Sequence, residues 1–167
     1  MALPGASLTL RDAGDLRAVG RALGRAKDGR RLKRNLVKQL KMIEQPILRR
    51  VRLAWRTAPS HQSRRRGQGL RAALARVTRG EVRLSGREAG IRIRTDGRRM
   101  PAGMKALPSY VEGTKRPWRH RIYGTDVWVT QRPFPRFYMA ARPDQSKAKR
   151  QVEQAVADVF KEIARSR

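Results

Sequence analysis

An α+β fold is predicted by three observations: apolar residues recur every three or four positions in the first third of the chain, alternate singly with polar ones in the middle, and return to helical spacing at the C-terminus. Helices first, strands next and a helix last argue for helices laid on a small antiparallel sheet of three to four strands. The C-terminal helix is expected to pack on that sheet, and long basic amphipathic helices to precede it.

From Asp15 to Ala26, Leu16, Val19, Leu23 and Ala26 share one helical face, with arginines mostly on the others. Asp28-Gly29 then marks a turn. Beyond it Leu32, Leu36, Leu40, Ile43, Ile47, Val51 and Ala54 form one stripe of a long helix whose other side is almost wholly basic. Pro46 lacks an amide hydrogen and crowds the preceding turn, so a kink or break is predicted near Glu44; the surviving periodicity favours a kink. Ala58 to Gln68, with Pro59, Ser60, Ser63 and Gly67, reads as a mobile loop.

Leu70, Ala73, Leu74 and Val77 predict a short helix ending near Gly80. Val82 and Leu84, then Ile91, Ile93 and Thr95, alternate with polar residues on either side of a turn over Gly86 to Gly90, which makes a hairpin with one apolar and one basic face. Asp96 to Met104 reads as a loop, Leu107 to Val111 as a turn of helix, and the stretch up to Gly124 as a connection. Val127 and Val129 flank Trp128 in a third strand. Phe134 to Tyr138 offers a fourth, which Pro133 and Pro135 confine to an edge or to irregular structure. Asp144 suits an N-cap for a last helix carrying Val152, Val156, Val159, Phe160 and Ile163. The 167 residues suit one structural domain, organised as a basic helical region over 1–66 and an α+β core over 67–167.

The net charge of +28, from 41 Lys+Arg against 13 Asp+Glu, sets up strong self-repulsion unless polyanions or acidic surfaces neutralise it. Arginine dominates that charge, as a GC-rich genome produces without selection for binding, so charge alone is a weak pointer to nucleic acid. With no cysteine there is neither a disulfide framework nor a thiolate metal site. No apolar run has the length of a membrane span, and Met1 to Leu10 lacks the layout of a signal peptide, so a cytosolic origin is expected.

Catalysis requires converging groups, and the sequence offers few. His61 and His120 lie in separate loop segments without a cluster of carboxylates, and read as ordinary loop residues. Glu112 alone sits in a distinctive setting, Tyr110-Val111-Glu112-Gly113-Thr114, where a salt bridge or turn-stabilising role outweighs that of a general base. Gly67 and Gly69 lack the length and lysine of a phosphate-cradling loop. No catalytic residue, metal or cofactor is expected. Lys33, Arg34, Lys38, Lys41, Arg49, Arg50, Arg52 and Arg56 on the long helix, with Arg64, Arg65 and Arg66 in the loop, are candidate contacts for DNA phosphates or acidic partners. Without a recognition motif beside them, any DNA contact would be indifferent to sequence. The long helix has only Trp55 to serve as an aromatic membrane anchor, which argues against a lipid surface.

Three motifs give the chain from Gly67 onward a family resemblance. Gly69-Leu70-Arg71-Ala72-Ala73 resembles a glycine-led opening of a short helix that precedes a hairpin. Tyr110-Val111-Glu112-Gly113-Thr114 resembles an aromatic-Val-Glu-x-Gly-Thr element, and Pro133-Phe134-Pro135-Arg136-Phe137, leading to Ala140-Ala141, resembles a Pro-x-Pro-Phe segment before the last helix. In this order they resemble the neck, or minor tail protein Z-like, family of head-tail connectors in long-tailed bacteriophages. The chain departs from the pattern where Gly113 directly follows Glu112, a place at which many members insert a residue.

The resemblance implies a virion protein of the neck, synthesised in the host cytoplasm, that forms a homo-oligomeric ring of six copies around the DNA channel. Its partners would be adjacent head-closure or adaptor proteins and tail-terminator or tail-tube proteins, with nonspecific contact to packaged DNA and none to a membrane. Tyr110, Val111, Glu112, Gly113, Thr114, Pro133, Phe134, Pro135 and Phe137 would position loops against neighbouring subunits. Val152, Val156, Phe160 and Ile163 would pack on the apolar face of the hairpin. Gly113 would need a positive φ. The alternative is a sequence-nonspecific nucleic-acid-binding protein gripping phosphates with its basic helices.

Overall fold

The computed structural model describes residues 6–10, 13–58, 69–86, 89–101, 103–113, 117–121 and 126–165. In chain order these form β1 (Ser7–Leu10), α1 (Ala13–Arg25), α2 (Gly29–Arg56), α3 (Leu70–Val77), β2 (Thr78–Arg83), β3 (Gly90–Thr95), α4 (Leu107–Val111), β4 (Trp118–Arg121), β5 (Trp128–Gln131), α5 (Arg136–Ala141) and α6 (Gln145–Arg165). The fold is α+β, with a long N-terminal helix and a C-terminal helix. One sheet has the order β1-β3-β2 and a second pairs β4 with β5. In the first, the Thr95 amide donates to the Ala6 carbonyl and the Asp96 amide to the Val77 carbonyl. The end of β3 thus lies beside the beginnings of both flanking strands, and both pairs are antiparallel.

The chain forms two compact units, one drawn from Met1–Ser7, Arg50–Arg79 and Arg94–Arg142, the other from Leu8–Arg49, Gly80–Ile93 and Pro143–Arg167. Each takes residues from both sides of position 66. The mobile loop expected over 58–68 lies, from residue 59, outside the described residues.

In the second unit, Leu16, Val19 and Leu23 of α1 and Leu32, Leu36, Leu40 and Ile47 of α2 are buried as their spacing predicts, while Ile43 is half-buried. α2 runs through Pro46 without a break. Pro46 lies on the exposed side, so the carbonyl of Met42, deprived of its amide partner, faces outward where water can satisfy it.

α6 buries Ala148, Val152, Ala155, Val156, Val159 and Ile163, and packs against α1. α1 in turn meets the hairpin at Gly20, where any Cβ would press on the Leu84 carbonyl. Phe160, expected to join the inward face of α6, is instead 39% exposed. It neighbours Val159 in sequence, and a helix turns successive side chains about 100° apart, so Val159 takes the inward place.

The first unit is centred on Trp55 and Phe137, both fully buried. Around Trp55 runs a chain of polar groups. The indole Nε1 donates to Thr95 Oγ1 at 3.2 Å, Thr95 and Thr78 Oγ1 lie 2.9 Å apart, and Thr78 Oγ1 donates to the Leu74 carbonyl at 2.7 Å. A carbonyl only accepts, so the Thr78 proton points to Leu74 and the Thr95 proton must point to Thr78. All members of this buried chain are satisfied in one direction. Thr78 also ends α3, since its hydroxyl bonds one turn back and its extended backbone opens β2 directly. That is why the strand begins at Thr78, where the sequence predicts helix or turn as far as Gly80.

Three further elements differ from the sequence expectation. β1 and β4 are strands where the sequence predicts none, and Phe134 to Tyr138 is not a fourth strand. α5 starts there, with Pro135 at its N-cap and Arg136 as its first residue. Proline at a helix start sacrifices no hydrogen bond, so the residues that bar a central strand suit a helix entrance.

Candidate functional site

Two regions hold the residues singled out from the sequence. The first, within the first unit, joins two of the three motifs that carry the family resemblance. The Glu112 carboxylate accepts the amide of Phe137 through Oε1 and that of Tyr138 through Oε2, the latter at 3.2 Å. These are amides of the first turn of α5, which Pro135 cannot cap with its own side chain. A glutamate distant in sequence therefore does the work of an N-cap. The strands of chain are also tied by the Phe134 amide, which donates to the Val111 carbonyl at 2.6 Å.

Glu112 is 4% exposed. Burial pushes its carboxyl up from the ordinary 4.5 to about 7, against the downward pull of the Phe137, Tyr138 and Arg136 amides. The expected alternatives for this residue were a salt bridge to arginine or a turn contact; the acceptor role for backbone amides was not among them.

Gly113 has φ +79°, the left-handed geometry expected of it. An added Cβ would also lie 3.0 Å from Cβ of Pro133. Gly113→Val combines the left-handed penalty of about 1–2 kcal/mol with that crowding, so a lowered urea midpoint is expected, with Gly113→Ala intermediate. Equal midpoints for all three proteins would show that the turn tolerates a side chain.

Val111 and Phe137 are buried, Tyr110, Pro133 and Arg136 are half-buried, and Gly113, Phe134 and Pro135 are exposed. The Arg136 guanidinium lies over the Phe134 ring at 4.1 Å. Of the nine positions expected to face neighbouring subunits, Val111, Glu112 and Phe137 are thus turned into their own unit. Thr114 lies outside the described residues.

The second region is the basic side of α2. Within the second unit Lys33, Arg34, Lys38, Lys41 and Arg49 are exposed. Among them sit apolar side chains that the sequence reading passed over, above all Met42, which is 61% exposed. The signal was present, since Met42 falls off the buried stripe and onto the charged side. Within the first unit Arg50 and Arg56 are exposed, while Arg52 differs from the expectation. Its Nε and Nη2 donate to the Thr78 carbonyl at 3.2 and 2.9 Å, so a tertiary contact already engages it. Trp55, the only aromatic residue on α2 that a membrane could use, is in the core. Arg64, Arg65, Arg66 and His61 lie outside the described residues.

Among the described residues no group of three or more His, Cys, Asp and Glu side chains is placed to hold a metal ion, and no helix is long and apolar enough to cross a membrane. The chain matches no family model, no curated protein and no solved structure.

Proposed function

We propose that this chain is a structural subunit of the neck of a long-tailed bacteriophage, a head-tail connector or tail-completion protein that assembles with copies of itself into a ring around the DNA channel and performs no catalysis. The observation that carries the reading is the junction at Glu112. The Tyr110-Val111-Glu112-Gly113 segment and the segment from Pro133 into the start of α5, which resemble that family separately, fit one another through hydrogen bonds that the Phe137 and Tyr138 amides donate to a single buried carboxylate. A shared structural reason for both motifs is what a family pattern requires. The glycine geometry at Gly113 agrees with it.

The adjacent exposed surface gives such a subunit something to assemble with. Phe134, Tyr138 and Met139 are 37, 36 and 64% exposed, and all lie next to the junction in sequence. Three exposed apolar side chains within six positions offer surface for an interaction. A ring needs contacts that close head to tail, with different patches meeting.

Size-exclusion chromatography with light scattering, negative-stain microscopy and detection of the chain in purified particles test the proposal. Closed rings and presence at the head-tail junction are expected. A monomer absent from particles that binds duplex DNA with a steep dependence on salt would instead establish the nucleic-acid-binding alternative.

A further inference from the structure

The exposed side of α2 in the second unit is not uniformly polar. Arg34, Lys38, Lys41 and Arg49 border an open hollow of about 760 Å³, and Val37, Met42 and Pro46 lie between them. The basic side chains supply the walls of the hollow, and Val37, Met42 and Pro46 its apolar floor. Most of the floor is hydrocarbon, with Met42 its most prominent part.

From these features we infer that this face is a docking groove for an acidic amphipathic helix of another protein. Charge complementarity selects the sign of the partner, because four cations and no carboxylate border the hollow among the described residues. The floor selects its kind. A nucleic-acid backbone has no apolar surface with which to cover Val37, Met42 and Pro46, whereas the apolar stripe of a helix does, with its acidic flanks reaching the walls. The same face of a second copy would bring the same four cations, which opposes docking of two such faces here.

The dimensions agree. From Arg34 to Arg49 the helix rises about 22 Å, the length of a four-turn partner. The chain also displays acidic helix residues beside this one: Asp158 and Glu162 of α6 border a smaller hollow of about 280 Å³ together with Lys38 and Met42. An incoming helix would place carboxylates on the opposite flank of the same residues. Methionine suits such a floor, since its flexible, polarisable side chain adapts to different apolar stripes. The inference stands on the surface of α2 alone and goes beyond the neck assignment, so its failure would leave that assignment untouched.

The test uses the full chain and a synthetic peptide of about 18 residues, long enough for four turns, with leucines on one helical stripe and glutamates flanking them. A scrambled peptide of the same composition and a duplex DNA serve as competitors. Fluorescence anisotropy should show the patterned peptide binding at least about tenfold more tightly than the scrambled one, equivalent to about 1.4 kcal/mol. Added salt should weaken it. Met42→Asp, at an exposed position where folding should be unaffected, should reduce affinity at least about tenfold; circular dichroism checks the fold, and Met42→Gln should show a smaller loss in the same direction. Equal binding of the scrambled peptide, indifference to both Met42 variants, or DNA that displaces the peptide and binds Met42→Asp as well as wild type would each overturn the inference.

Discussion

Replacing Glu112 by alanine is expected to lower the stability of the chain by about 2–4 kcal/mol, because two amides of the α5 entrance lose their acceptor and an unsatisfied buried donor costs about 1–3 kcal/mol. The Phe137 amide belongs to a residue with no exposed surface, and water cannot replace the lost oxygen without opening the unit. Urea unfolding should show a lower midpoint with little change in slope. A midpoint within error of the wild type would mean that α5 needs no cap from Glu112.

The same carboxylate makes a prediction about pH. Its folded-state value of about 7 lies above the ordinary 4.5, so the folded protein holds the proton more tightly than the unfolded one. The stabilisation is fully present below the ordinary value and is lost as pH rises through about 7. Protonation at Oε2, the more distant acceptor, leaves Oε1 able to receive the Phe137 amide. Glu112→Gln removes the titration and keeps one acceptor. Measured between pH 5 and 8, a window set by those two values, the stability of the wild type should therefore fall relative to that of Glu112→Gln. Using the difference cancels the response of the other carboxylates. Parallel profiles would exclude a titrating Glu112, and a wild type that gains on the variant would reverse the sign of its shift.

Trp55→Ala is expected to have an effect of similar or greater size, about 3–5 kcal/mol, the usual cost of removing a large aromatic side chain from a core. Trp55 is fully buried and its indole begins the hydrogen-bonded chain through Thr95 and Thr78 to Leu74. Trp55→Phe keeps most of the packing but removes the donor, and should cost about 1–2 kcal/mol. The two variants thus separate volume from polarity. If Trp55→Ala unfolds at the wild-type midpoint, or if it loses binding to anionic vesicles that the wild type shows, Trp55 acts at a surface and not in a core.

Much of the fold was legible before the structure. The stripe of Leu32, Leu36 and Leu40, the alternation of Ile91 with Ile93, and the spacing from Val152 to Ile163 each report one local geometry repeated over several residues, and the buried positions follow it. β1 escaped because Ser7–Leu10 is too short to establish a period. β4 escaped for a different reason. Trp118–Arg121 has no apolar alternation and is a strand through its pairing with β5, in the register His120 to Val129. Phe134 to Tyr138 is ambiguous in sequence because proline reports only what it forbids, and it forbids a central strand as firmly as it permits the start of a helix.

The site divides in the same way. Sequence singled out Glu112 and Gly113 and placed the latter at positive φ, since a turn glycine is a local matter. It also named the basic positions of α2. It could not say that Glu112 would cap a helix more than twenty residues away or that Arg52 would be held by the Thr78 carbonyl.

What the sequence by itself determined is therefore the periodic elements, the faces they bury and the excess of positive charge. The tertiary structure alone decided the partners of the polar groups: the carboxylate for the amides of α5, the threonine chain for Trp55, and the carbonyl for Arg52. The physical reason is range. A helix or strand declares itself through neighbours in the chain, whereas a buried polar group must find its complement in space, and many residues of the right chemistry are equally eligible until the backbone brings one within hydrogen-bonding distance.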